Sequence, residues 1–240
     1  MDPLELVEVN GIKNYKRKPG GKIKFFYQDV VHQWFITKDT AATKDEVCAF
    51  KFSDAAKTRY ILKTFNTPAE AQLSGFTITH KTHCGTCSSL KDLATYLDNK
   101  NLTVPARDCS KKMSIDKIKE CYMESIGFTE ACAETWAYNS VNTKKACIGI
   151  CIKDYGLFNL IANRYPDELN NADGSLKPCL QCDELRSVPG YNYTVGRTRR
   201  GSGIISDIQR NAHEMYWIDY GQYYDLFELQ RPSAALPLGI

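Results

Sequence analysis

Five residues that can do chemistry crowd one short stretch: His80, His83, Cys84, Cys87 and, about one helical turn further on, Asp92. Residues 78–97 read as a strand, a Cys-Gly-Thr-Cys turn and an amphipathic helix. Helix starts carry free N–H groups and a partial positive charge, which lower a thiol's pKa and favour the reactive thiolate. Two chemistries follow. In a redox reaction Cys84 attacks and Cys87 resolves. In a nucleophilic reaction His80 or His83 is the base for Cys84, oriented by Asp92 or Asp183. The pair can also be half of a zinc site, completed by Cys179 and Cys182, with His83 able to replace one thiolate. About ninety residues separate the two halves, more than the usual zinc-ribbon gap. Zinc is therefore an alternative to thiol catalysis at Cys84 and Cys87, and the only cofactor in view.

The second concentration of function-bearing residues is Gly196-Arg197-Thr198-Arg199-Arg200-Gly201-Ser202-Gly203. Glycines and a serine before a run with helical spacing, Ile204 to Met215, let an anion approach backbone N–H groups. Three arginines add forked recognition of carboxylate or phosphate. Arg197, Arg199, Arg200, Ser202 and Gly203 are thus expected to bind a small anionic molecule. The Gly-x-x-x-x-Gly-Lys-Ser/Thr spacing of a P-loop is absent. The plainer alternative is a solvated basic turn.

Local resemblances can be named on these residues. The order strand, helix, strand, Cys84-x-x-Cys87, helix resembles the opening of a thioredoxin-like domain over about forty residues. That resemblance implies redox chemistry, but Val104-Pro105 follows almost at once and the next fifty residues read as helical. Pro178-Cys179-Leu180-Gln181-Cys182 resembles a zinc knuckle and half of a zinc-deaminase motif. The His-x-Glu half of the deaminase motif has no counterpart upstream.

These stretches need a scaffold, and the chain reads as α+β. Residues 1–65 are β-rich: an Asn10-Gly11 turn, a basic hairpin from Ile12 to Gln28, and strands at Val30–Thr37, Val47–Phe52 and Thr58–Phe65. The lysines of that hairpin suit either an anionic partner or an edge kept soluble by charge. Residues 66–165 hold the first Cys-x-x-Cys and a helical part. Thr67 caps a short helix ending before Gly75, and Ser114, Thr129 and Thr143 cap three more. Those last three place Cys121, Cys132, Cys147 and Cys151 on consecutive short helices, where disulfides would stabilise marginal elements. Residues 166–240 carry the second Cys-x-x-Cys, the arginine-glycine loop and an aromatic tail from Tyr216 to Tyr224. The whole is expected to form one or two compact domains.

Ten cysteines in 240 residues are the one compositional bias, and seven of them lie between positions 84 and 151. A net charge of +3 is too small to imply a nucleic-acid partner by itself. No window approaches the ~18 apolar residues of a membrane span. The start, Met1-Asp2-Pro3-Leu4-Glu5-Leu6, lacks the apolar run of a secretory leader. Asn101-Leu102-Thr103 and Asn192-Tyr193-Thr194 are glycosylation sequons, a weak pointer to a lumenal or secreted location. Three functions compete. The first is a thiol-dependent small-molecule enzyme acting on an anionic substrate. The second is a disulfide-stabilised lumenal or secreted binding domain without catalysis. The third is a zinc-knuckle protein binding nucleic acid or protein.

Overall fold

The computed structural model describes residues 5–9, 12–13, 45–99, 101–162, 164–165 and 169–220. Most of the expected basic hairpin, the strand at Val30–Thr37 and the end of the aromatic tail lie outside them. Five strands form one sheet in the order β2-β1-β4-β3-β5. They are β1 Glu5–Val9, β2 Ile12–Lys13, β3 Val47–Phe52, β4 Arg59–Phe65 and β5 Thr77–Lys81. β3 pairs antiparallel with both β4 and β5, while β1 runs parallel to β4. Alternation along β3 sends Cys48 and Phe50 to one face and Val47 and Ala49 to the other. Both faces are covered. Val47, Ala49 and Phe65 pack with Ala71 on the short helix α1, Pro68–Leu73. Thr67 caps that helix by accepting the Glu70 N–H, and Pro68 opens it, as the sequence predicts.

The other face meets the helical part. In chain order this comprises α2 Leu90–Asp98, α3 Thr103–Ser110, α4 Ile115–Ser125, α5 Glu130–Tyr155, α6 Leu157–Ala162, α7 Pro178–Arg186 and α8 Val188–Val195. Phe50, Tyr60 and Leu62 of the sheet share a core with Leu93, Ile118, Ala133 and Val195, and that core extends to Ile204 and Tyr220. The α+β expectation holds. Two local expectations do not. Glu130 to Tyr155 is one helix of 26 residues, so Thr143 caps nothing. Its hydroxyl instead donates to Asp183 on α7 at 2.5 Å, and Asn142 donates to Ser187 at 3.1 Å. Tertiary partners thus occupy the side chains that would otherwise compete with the helix backbone. Residues 204–215 are not an α-helix either, and hold only a 3-10 turn at Ala212–Glu214. Ile204 is drawn into the core while Ile205 stays exposed, an arrangement an extended segment makes without a helical stripe.

All ten cysteines are paired. Cys48–Cys84 ties β3 to the loop after β5, and Cys87–Cys132 ties that loop to α5. Cys109–Cys121 joins α3 to α4. Cys147–Cys182 and Cys151–Cys179 nest between α5 and α7, the order two antiparallel helices demand of cysteines one turn apart. Bridges of this loop size each stabilise a fold by roughly 2–4 kcal/mol.

Candidate functional site

The Cys-Gly-Thr-Cys turn is packed under the end of α8. The Thr86 and Cys87 amides donate to the carbonyls of Thr194 and Val195, both at 3.0 Å. Gly85 and Gly196 face each other so closely that a Cβ on Gly85 would sit 2.5 Å from the Thr194 oxygen. Only glycine permits that approach. Cys84 is bridged to Cys48 and Cys87 to Cys132, so the two do not pair with each other. Cys179 and Cys182 are joined to Cys151 and Cys147. The four sulfurs expected to hold zinc, or to supply a thiolate, are therefore each in a bridge, and no sulfur here is a free thiolate. Among the described residues no cluster of His, Cys, Asp and Glu is arranged to hold a metal ion.

The histidines are committed elsewhere. His80 is wholly buried. Its Nδ1 lies 2.8 Å from the Lys81 carbonyl, so that nitrogen carries the proton, and its Nε2 accepts from the Ser88 hydroxyl at 2.7 Å. Ser88 Oγ in turn accepts the Gly85 N–H at 2.7 Å. Burial, reinforced by the Arg197 charge, pushes the His80 imidazole well below its usual pKa. His83 is half-buried. Its Nε2 donates to the Tyr193 carbonyl at 2.6 Å, and its Nδ1 lies 3.7 Å from Glu46.

Asp92 occupies the first turn of α2, and its carboxylate faces a second helix start. Ser89, the cap of α2, accepts the Asp92 N–H at 3.0 Å and donates its hydroxyl back to the carboxylate at 2.5 Å. The same carboxylate accepts the amide and the hydroxyl of Thr129, the cap of α5. Burial raises the Asp92 pKa, opposed by these hydrogen bonds and by the Arg197 charge. Tyr60 completes the junction: its hydroxyl accepts the Leu90 N–H at 3.0 Å, and burial pushes its phenol up to about 12.

The three arginines of the glycine-rich loop diverge. Arg197 is wholly buried. It donates to the Thr79 carbonyl and hydroxyl, to the carbonyls of Cys87 and Ser88, and to Ser202 Oγ. It thereby stitches β5, the Cys-Gly-Thr-Cys turn and the 3-10 turn Arg200–Ser202 together. Ser202 is buried with it, and Gly203 closes the turn in the left-handed conformation, φ 65°. Arg199 lies over Tyr96 and donates to the carbonyls of Asn99 and Ile205. Arg200 pairs with Glu184 at 3.0 Å, and Arg210 holds the other Glu184 oxygen.

Arg199 and Arg200 do reach a cleft of about 980 Å³ between α3, α5, α7 and the segment 198–217. Its floor is aromatic. Trp136 stacks on Phe128 at 5.5 Å, meets Tyr191 edge-on at 5.3 Å, and donates to the Tyr96 hydroxyl at 3.2 Å. Cys151 and Cys179 stand in the wall, so one disulfide is part of the lining. Asp183 is there too, half-buried, its carboxyl raised to about 6 by burial against the Thr143 hydrogen bond. The sequence reading missed Arg107, Tyr155 and Tyr165 at the far end of the cleft. These residues lie on α3, on the end of α5 and beyond α6, and no local motif joins them.

Residues 115–218, which include α4 to α8 and most of the cleft, match a family of unknown function (DUF8771). No curated protein and no solved structure matches the chain.

Proposed function

We propose that this chain is a disulfide-stabilised binding domain that works in an oxidising compartment and takes a small molecule in the cleft beside α7. The observation that carries the reading is that the cleft is held open covalently. Two bridges fix α7 against α5, and one of them lines the cavity. Five disulfides with no free thiol are usual for secreted or lumenal proteins. A preformed, largely apolar concavity of this size is the usual form of a small-molecule site, and its rigidity lowers the ordering cost of binding. Among the described residues no helix is long and apolar enough to cross a membrane. The thiol-enzyme reading finds no support, since each sulfur it would use is in a bridge.

The test has two parts. Alkylation of the native and of the denatured, unreduced protein should leave its mass unchanged, and full reduction should open ten sites. The neutral dye N-phenyl-1-naphthylamine should bind saturably, one per chain, and Ile148→Arg or Leu160→Arg in the cleft should abolish that binding. Free thiols in the native protein, or dye binding indifferent to both substitutions, would overturn the proposal.

A further inference from the structure

The cations around the cleft differ in what they already hold. Arg199 gives its donors to two backbone carbonyls, Arg200 and Arg210 share Glu184, and Lys111 pairs with Asp108 at 3.5 Å. Two lining cations, the exposed Lys144 and the partly buried Arg107, make no ion pair among the described residues, and Arg107 is the one held in place by the protein. Its guanidinium lies instead on phenol rings, 3.8 Å from the centre of Tyr165 and 5.7 Å from that of Tyr155. It also hydrogen-bonds to Tyr155. Phenol groups orient a guanidinium without neutralising it, so its remaining N–H donors are available to an anion. The arginine is partly buried, and burial lowers its pKa against the opposing pull of Tyr155 and Tyr165. Part of the rim is apolar. Ile148, Leu157, Ile161, Ile205 and Trp217 are all exposed and all line this cleft. Exposed large apolar side chains gathered round one cavity mark a surface that is covered in use.

We infer that the cleft binds a single-chain apolar molecule bearing one carboxylate, with the carboxylate on Arg107 and the apolar body along Trp136, Ile148, Leu160 and Trp217. The inference rests on the cleft being the binding site. Charge complementarity at Arg107 chooses the headgroup, and the aliphatic rim chooses the tail. Arg107 acts here as a binding residue; the reading assigns it no catalytic step.

The experiment is displacement of N-phenyl-1-naphthylamine by dodecanoate and by dodecanol, both below their aggregation limits. Dodecanoate should bind the wild-type chain at least tenfold more tightly than dodecanol. Arg107→Gln should erase that preference, read as the ratio of the two affinities within the variant, and Arg107→Lys should retain part of it. Acidification that protonates dodecanoate should bring the two probes together. Equal affinities in the wild type would overturn the Arg107 assignment while leaving the cleft as a binding site. A dye that never binds would remove the cleft reading itself. Sedimentation with phosphatidylserine vesicles without displacement by dodecanoate would also overturn the inference, assigning the apolar rim to a lipid surface. If the substituted chains fail to fold, the wild-type comparison of acid with alcohol still decides.

Discussion

The Asp92 carboxylate accepts both the amide and the hydroxyl of Thr129, each at 2.8 Å, so one buried anion serves the starts of two helices. Ser89 holds the same carboxylate from its own helix. Asp92→Ala should therefore free the N-terminal turns of α2 and α5 together. Hydrogen bonds to a charged group contribute about 1.5–3 kcal/mol each, and several are lost at once. The expected cost is about 3 kcal/mol, seen as a fall in Tm of roughly 6–12 °C. Thr129→Val, which keeps the amide, should cost about half as much. Calorimetry of the two variants checks the ratio, and equal losses would overturn the role of the Asp92 carboxylate as a shared cap for both helices.

Arg197 presents the same logic with the sign reversed. Its fork fills acceptors on β5, on the Cys-Gly-Thr-Cys turn and on Ser202, and no lysine can reproduce that planar geometry. Arg197→Lys should keep the charge yet destabilise by about 3 kcal/mol, in the range for breaking a buried charged network. Urea denaturation measures it. A loss under about 0.5 kcal/mol, the usual surface value, would show that charge alone is required there.

Stability should depend on pH through His80 and Asp183, with opposite signs. The His80 imidazole is held well below 6.5, so its contribution is complete above that value and is lost as pH falls beneath it. Asp183 is raised to about 6, so the folded state holds its proton longer than the unfolded chain, and stability falls as pH rises from about 4 to 6. Asp183 keeps contact with solvent in the cleft, beside Glu184, which limits its effect to on the order of 1 kcal/mol. His80→Asn should flatten the acid side of the Tm profile. Asp183→Asn should steepen it, because the compensating gain on acidification is gone. Profiles of the two variants that coincide with the wild type would exclude both groups.

The fold was legible where local rules operate alone. Thr67, Ser114 and Thr129 cap the helices their positions predict, and β3 occupies Val47–Phe52 as read. Reading failed where a distant partner changes the outcome. Thr143 looks like a cap until Asp183, forty residues on, takes its hydroxyl. Arg197, Arg199 and Arg200 look like one anion site, yet burial of the first and carbonyl or carboxylate partners for the others disperse them. Cysteine pairing was open for the same reason. Cys84 and Cys87 are neighbours in sequence, but their partners Cys48 and Cys132 come from a strand and a helix on either side. The cleft was the least legible feature, because Arg107, Tyr155 and Tyr165 meet only once α3, α5 and the segment after α6 have packed.

The nested bridges separate a structural from a functional role for the disulfides. Cys151–Cys179 closes 28 residues and Cys48–Cys84 closes 36, so chain entropy gives them similar values, about 3–4 kcal/mol. Their positions differ. The first stands in the cleft wall and holds the start of α7, where the Cys179 amide also donates to Asp154 at 2.9 Å. The second ties β3 to the Cys-Gly-Thr-Cys turn, away from the cleft. Replacing Cys151 and Cys179 together by serine should lower Tm and also weaken N-phenyl-1-naphthylamine binding several-fold, since the wall is no longer preorganised. Replacing Cys48 and Cys84 should lower Tm by a similar amount with dye affinity intact at temperatures where the protein stays folded. Titration of both double variants beside their melting curves reads the two effects apart. Parallel loss of binding in both would place the cleft's integrity in the fold as a whole and not in the bridge that lines it.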